Sequence, residues 1–241
     1  MTEALLNDRP ATDAPSPRAE ISRDVPYPPI LLIRHAETQW NQEGRLQGRG
    51  DTPLTLNGVR QSLAVATALQ QHVIRHRPVR YWVSPLGRAR QTASLLSDCW
   101  AIPFHSFVEE PALAERAYGE WEGKTLAEVE AERPTEFGEH ERDRWGYRPP
   151  RGESKADVGA RIETWLRSID PSARHVVVTH SGCFRAIRGI CTNATRRQMD
   201  AYREPQTTAY FLAEGGETEI PLDAPIARAF GVLEQTKTVH I

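Results

Sequence analysis

Two histidines sit where apolar, β-branched runs of the chain stop. Leu31-Leu32-Ile33 leads straight into Arg34-His35, and Val176-Val177-Val178-Thr179 leads into His180. Runs of this kind read as buried strands, and open α/β sheets bind their ligands beyond the carboxyl ends of the strands. Two imidazoles and a guanidinium at such an edge suit phosphoryl chemistry. A neutral imidazole nitrogen can attack phosphorus in line with the leaving oxygen, and arginine can hold phosphoryl oxygens through charge-assisted hydrogen bonds. Either histidine alone would serve equally well as a buried residue capping a strand end.

The elements that must position these groups follow from spacing. Thr55 is a good N-cap for a helix carrying Leu56, Val59, Leu63, Ala66 and Leu69 at helical intervals. That helix fades into Arg75-His76-Arg77-Pro78. Val79–Val83 reads as the next strand, and Ser84-Pro85 starts a helix in which Leu95 and Leu96 face the core. Strand, helix, strand, helix implies right-handed βαβ units and a mostly parallel sheet. The pattern weakens between Ile102 and Pro150, apart from a short acidic helix over Thr125–Glu132 that stops before Pro134. A helix returns over Ser154–Ile169 with Val158, Ile162, Trp165 and Leu166 on one face, and another follows over Gly182–Ile190. Thr207–Leu212 adds a strand.

Bulk properties narrow the classes. The 241 residues suit one domain with a sizeable core. A net charge of −2 argues against general nucleic-acid binding. The basic run of Arg142, Arg144, Arg148 and Arg151 reads either as a solvated face or as substrate contact. Cys99, Cys183 and Cys191 have no metal-ligand spacing and read as reduced thiols of a cytoplasmic protein. No apolar run approaches membrane-spanning length, and no membrane partner is expected. Residues 1–29 are rich in Pro, Asp, Ala and Arg, lack the apolar centre of a secretory signal, and read as a flexible N-terminal tail before a domain spanning 30–241.

Further residues fall in an order that resembles the histidine phosphatase superfamily, the phosphoglycerate mutase-like group. Arg34-His35-Ala36-Glu37-Thr38 is followed by Trp40-Asn41, by Leu46-Gln47-Gly48, and by Asp51-Thr52-Pro53-Leu54-Thr55 with Gly58 and Gln61. Then come Ser84–Ala93 with Arg88, Leu113-Ala114-Glu115 with Tyr118-Gly119 and Trp121-Glu122-Gly123, Gly152-Glu153-Ser154, and Thr179-His180-Ser181-Gly182. The resemblance implies a three-layer α/β/α sandwich with a mostly parallel central sheet and a lid-like insertion over about 116–151.

It also implies roles. His35 would be the nucleophile that forms phosphohistidine, and Arg34 and Arg88 would clamp the phosphoryl oxygens. His180 would contact phosphate, and Glu115 would be the general acid. Asn41, Gln47, Gly48 and Ser181 would join the phosphate or substrate contacts. Selectivity is expected from the 116–151 insertion, with Tyr118, Trp121, Lys124 and Arg148 as candidates and with Trp121, Trp145 and Tyr147 read either as ring-stacking residues or as packing. No metal or other cofactor is implied, since arginine and histidine take magnesium's place.

The implied activity is a metal-independent phosphomonoester hydrolase acting on a small phosphorylated metabolite. His35 and His180 are 145 positions apart, a spacing that resembles the compact phosphatases. A cofactor-dependent phosphoglycerate mutase is the alternative, and a catalytically silent phosphate-binding protein is a second. A homodimer is the family-based expectation.

Overall fold

The computed structural model describes residues 27–74 and 79–222, residue 226 and residues 229–232. The tail expected over 1–29 and the fading helix end at 75–78 lie almost wholly outside the described residues. Six strands form one sheet: β1 (Ile30–Arg34), β2 (Val79–Val83), β3 (Phe107–Glu109), β4 (Arg174–Thr179), β5 (Thr208–Ala213) and β6 (Gly216–Pro221), in the order β3-β2-β4-β1-β5-β6. The first four run parallel, with Leu32 opposite Val177 and Tyr81 opposite Val176. β5 and β6 are antiparallel additions at one edge. The sheet is therefore mostly parallel among its central strands.

Alternation along the strands supplies both layers. In β1, Ile30 and Leu32 join a core with α6 (Lys155–Ser168) and α7 (Ser181–Cys191), while Leu31 and Ile33 join a core with α2 (Leu56–Ile74) and α3 (Gly87–Cys99). Each fully buried aliphatic in these cores contributes roughly 1.5–3 kcal/mol. The remaining helices are α1 (Gln39–Glu43), α4 (Leu126–Glu132), α5 (Pro134–Arg142) and α8 (Arg196–Ala201).

Several expectations change in detail. Leu56 does not face the core but is 67% exposed, because it is the first residue of α2 and stands ahead of the buried stripe. The acidic helix expected over Thr125–Glu132 does stop before Pro134, as α4, but Pro134 then opens the unexpected α5, at a position where its missing N–H costs nothing. β3 and β6 were not expected. β3 is three residues long, and β6 (Gly-Glu-Thr-Glu-Ile-Pro) is almost entirely exposed, so neither carries an apolar alternation. The insertion has a small core of its own from Leu46, Tyr118, Trp121 and Val129, with Phe137 and Tyr147 against it.

Candidate active site

Three parallel strand ends set the chemistry. The His35 amide donates to the Thr179 carbonyl at 2.8 Å and the Ser84 amide to the Val178 carbonyl at 3.0 Å, so the ladder continues one residue past β1 and β2. This places Ser84, His180 and His35 side by side. The two imidazole rings lie 5.0 Å apart between centroids.

His35 is 3% exposed, and its Nδ1 is 2.8 Å from the carbonyl oxygen of Ala36. A carbonyl only accepts, so Nδ1 carries the proton and Nε2 keeps its lone pair. Burial holds the His35 imidazole well below its ordinary pKa, with Arg88 and then Arg34 adding to the effect. The ring is therefore neutral at neutral pH, the state a nucleophile requires.

Arg34, at the last position of β1, donates from Nη1 to the Glu204 carbonyl at 2.9 Å, and its buried Nε has no partner among the described residues. That Nε is a donor left for an anion. Arg88, in the first turn of α3, is 1% exposed and rigidly held. It donates to the carbonyls of Gly48 and Gly50 at 2.9 and 2.8 Å, to Asp51 at 3.1 Å and to His180 Nδ1 at 3.1 Å. These bonds use four of its five N–H donors and leave one.

His180 is completely buried and does not itself line the cleft. Its Nδ1 accepts from Arg88, so Nε2 carries the hydrogen shared with the Ser84 hydroxyl at 2.6 Å. Burial first, then Arg88 and His35, hold it well below its ordinary pKa. For His180 to donate to a phosphoryl oxygen, one of these two bonds must exchange. As it stands, the ring positions Arg88.

Glu115 is 6% exposed and lines the cleft with His35. Backbone amides of Arg116 (2.7 Å) and Gly182 (3.1 Å to Oε1, 3.2 Å to Oε2) orient its carboxylate. A Cβ on Gly182 would stand 2.5 Å from Glu115 Oε1, so the glycine makes room for the acid. Asn41, in the capping box that opens α1, accepts on Oδ1 from the Thr38 amide and hydroxyl and from Gln206. Its amino group is the end left for the cleft. Gln47 is fixed through Thr38 and Thr52. Gly48 has φ +53°, and a Cβ there would fall 2.2 Å from Glu122 Oε1. The Ser181 hydroxyl bonds to the buried Glu204 carboxylate.

Arg34, His35, Asn41, Gln47, Gly48, Arg88, Glu115, Tyr118 and Ser181 thus share one cleft, whose empty space is about 1040 Å³ counted into open solvent. Three selectivity candidates are not brought to it. Trp121 is fully buried in the insertion's own core, stacked on Tyr147 and donating to Glu136. Lys124 pairs with Glu132, and exposed Arg148 pairs with Asp157. Arg144 and Arg151 likewise pair with surface carboxylates, so the basic run is a solvated face. Selectivity was expected from 116–151 alone. From that stretch Arg116, Tyr118 and Trp145 reach the cleft, but Lys155, Val158, Arg185, Ala186 and Met199 on α6 to α8 complete its outer wall. A signal existed for Arg185, four residues after Ser181 on one helical face. Arg116 directly follows Glu115, and no local spacing marks it.

A family model, the histidine phosphatase superfamily (branch 1), matches residues 30–220. The chain belongs to this superfamily. Among relatives, it is 28% identical to the probable phosphoglycerate mutase GpmB of Yersinia pestis, over 81% of this chain and 95% of that protein. Among solved structures, one described as an α-ribazole-5′-P phosphatase from Escherichia coli superposes with TM-score 0.69 at 26% identity, covering 82% of this chain and 97% of the other. A mycobacterial glucosyl-3-phosphoglycerate phosphatase in complex with VO3 gives TM-score 0.62 at 26% identity, covering 76% and 92%. As a superfamily member, the chain carries the α/β fold of the phosphoglycerate mutase-like group. No described helix is long and apolar enough to cross a membrane.

Proposed function

We propose that this histidine phosphatase hydrolyses a phosphomonoester of a small metabolite through a phosphohistidine at His35, without a metal ion. The observation that carries the reading is the locked tautomer of His35, buried beside two guanidinium groups. Nε2 attacks phosphorus as the bond to the leaving oxygen breaks, and Glu115 delivers its proton to that oxygen. Nδ1–H remains on the Ala36 carbonyl throughout. Water then attacks phosphorus, Glu115 takes the water's proton, the N–P bond breaks and inorganic phosphate departs. The spare donors of Arg34 and Arg88 stabilise the charge spread over the equatorial oxygens without reorganising. Cationic side chains would do here what magnesium does elsewhere.

Trapping tests this directly. An acid-labile phosphoenzyme should form on wild type and map to His35, while His35→Ala should lose turnover and keep its fold. Appreciable turnover by His35→Ala would falsify the nucleophile assignment.

The likeness to GpmB supports a second reading, phosphoryl return to a sugar acid. Phosphoglycerates incubated with and without 2,3-bisphosphoglycerate separate the two. Stoichiometric phosphate release supports hydrolysis. Bisphosphate-dependent isomerisation that outpaces release supports the mutase.

A further inference from the structure

The segment Gly152-Glu153-Ser154 takes no part in the reaction just described, yet its glutamate converges with Arg161 on the chain around Glu115. That chain has no ladder of its own. After the 3₁₀ turn at Pro111–Leu113, residues 114–118 have no regular structure, so their backbone groups need partners from elsewhere. Arg161, on α6, donates to the carbonyl of Ala112 and, at 2.7 Å, to that of Ala114, the residue before Glu115. The Glu153 carboxylate accepts from the Ala117 amide at 2.9 Å, and the Glu153 amide donates to the Ala117 carbonyl at 2.8 Å. The Thr179 hydroxyl holds the Leu113 carbonyl at 2.8 Å. Arg161 and Glu153 also close on each other in a two-pronged pair, at 3.1 and 3.3 Å. One ion pair thus grips the chain on both sides of Glu115.

Arg161 has nothing left for a substrate. Its five N–H groups serve the Ala112 and Ala114 carbonyls, both Glu153 oxygens and the Cys183 sulfur. This separates it from Arg34, whose Nε is left for an anion. Neither Arg161 nor Glu153 is among the residues lining the cleft. Burial alone would raise the Glu153 carboxyl, but the Ala117 amide and Arg161 hold it below its ordinary pKa, so the pair stays ionised at neutral pH. Resting on the phosphohydrolase reading, with Glu115 as its acid, we infer that Arg161 and Glu153 are positioning residues for proton delivery, fixing the backbone from which the Glu115 carboxylate reaches the cleft. The Arg116 and Gly182 amides aim the carboxylate itself, and the ion pair sets where it starts. His35 and Arg34 follow β1 and Arg88 stands on α3, so loosening the pair displaces the acid and leaves nucleophile and clamp in place.

Arg161→Met removes the donors and keeps the aliphatic stem. Its kcat/KM should fall about tenfold to a hundredfold on an alkyl phosphate and only a few-fold on nitrophenyl phosphate, whose leaving group scarcely needs a proton. Binding of inorganic phosphate, measured by calorimetry, reads the Arg34 and Arg88 clamp and should not change. Glu153→Ala frees the other side of the loop and should give the same split between esters. Glu153→Gln keeps an acceptor for the Ala117 amide and should recover part of the loss. In the Glu115→Gln background, neither Arg161→Met nor Glu153→Ala should cost anything further on either ester, since both act through that carboxylate. Equal loss on the two esters, a parallel loss of phosphate binding, or a further loss on top of Glu115→Gln would overturn the inference. Should Arg161→Met fail to fold, the two Glu153 variants carry the same comparison. Failure of the hydrolase reading is visible separately, as no phosphate release by wild type from either ester. Failure of the acid assignment is visible as equal loss on both esters in Glu115→Gln itself.

Discussion

Gly182→Ala tests the acid role proposed for Glu115 while leaving its carboxyl group chemically intact. The added Cβ would stand 2.5 Å from Glu115 Oε1 and 3.5 Å from its carboxyl carbon. Ordinary contact begins near 3.4 Å, so the oxygen must retreat by about 0.9 Å. That retreat strains both bonds that aim the carboxylate, the 2.7 Å bond from the Arg116 amide and the 3.1 Å bond from the Gly182 amide. The stability cost is small, because only the end of a side chain moves. Weakening one or two such bonds costs about 1–2 kcal/mol, a few degrees in Tm. The catalytic cost is larger. A displacement near 1 Å costs about a hundredfold where the displaced group takes part in the step, and general acids contribute about 10²–10⁴-fold.

The loss must depend on the leaving group. An alkyl phosphate releases a strongly basic alkoxide and needs the proton. Nitrophenyl phosphate releases a weakly basic phenolate and scarcely does. Steady-state kcat/KM on the two esters should therefore fall about a hundredfold for the alkyl ester and only a few-fold for the aryl ester. Glu115→Gln sets the ceiling of the effect, and the double variant should match Glu115→Gln alone, since the glycine acts through that carboxylate. Equal loss on both esters, or full additivity in the double variant, would refute both the acid role of Glu115 and the spacer role of Gly182.

Other perturbations follow from the same geometry. Gly48→Ala places a Cβ at φ +53° and 2.2 Å from Glu122 Oε1 while its carbonyl holds Arg88; thermal melting should show a loss of about 1–3 kcal/mol, and unchanged Tm and kcat would contradict the role given to that turn. EDTA should leave turnover intact, and a loss restored by magnesium would mean that the arginines do not replace a metal. Burial holds the His140 imidazole at about 4 against an ordinary 6.5, with Arg116, Arg144 and Lys155 lowering it and Glu141 opposing. The unfolded chain then binds more protons between those values, so stability falls as pH drops from about 6.5 to about 4, by at most about 3 kcal/mol from this ring. His140→Phe, which keeps the contacts with Trp121, Phe137 and Tyr147, should flatten denaturation midpoints across that window; an unchanged slope would remove His140 from the acid response.

The central strands and their flanking helices are legible in the sequence because periodicity and burial agree in them. Val158, Ile162, Trp165 and Leu166 recur at helical spacing and are all buried. Ser154 closes a capping box with Asp157 at the start of that helix. The same logic fails where burial is partial or the element is short. β3 has one buried residue in three, too little for a pattern. In α5 only His140 is buried, so no apolar stripe announced the helix and its opening proline read as a stop.

The site divides along a similar line. Groups at strand ends were visible because an apolar run must end somewhere, and a charged residue at that end is conspicuous. Arg34, His35 and His180 are of this kind. Arg88, Glu115, Asn41 and Gln47 rested on ordered motifs, and the structure brings them to the same cleft. The outer wall depended on tertiary docking that no local pattern encodes. Trp121 and Tyr147 looked suited to stacking on a ligand ring, but they stack on each other. The docking of α6 against α7 sets the Lys155 ammonium in the cleft wall beside Asp200. Strand termini thus bring Arg34, His35 and His180 together at one end of the site. Residues of α6, α7 and α8 shape the other end. The groups proposed for phosphoryl transfer are therefore legible in local sequence, whereas those of the outer wall take an orientation decided last, when the layers pack.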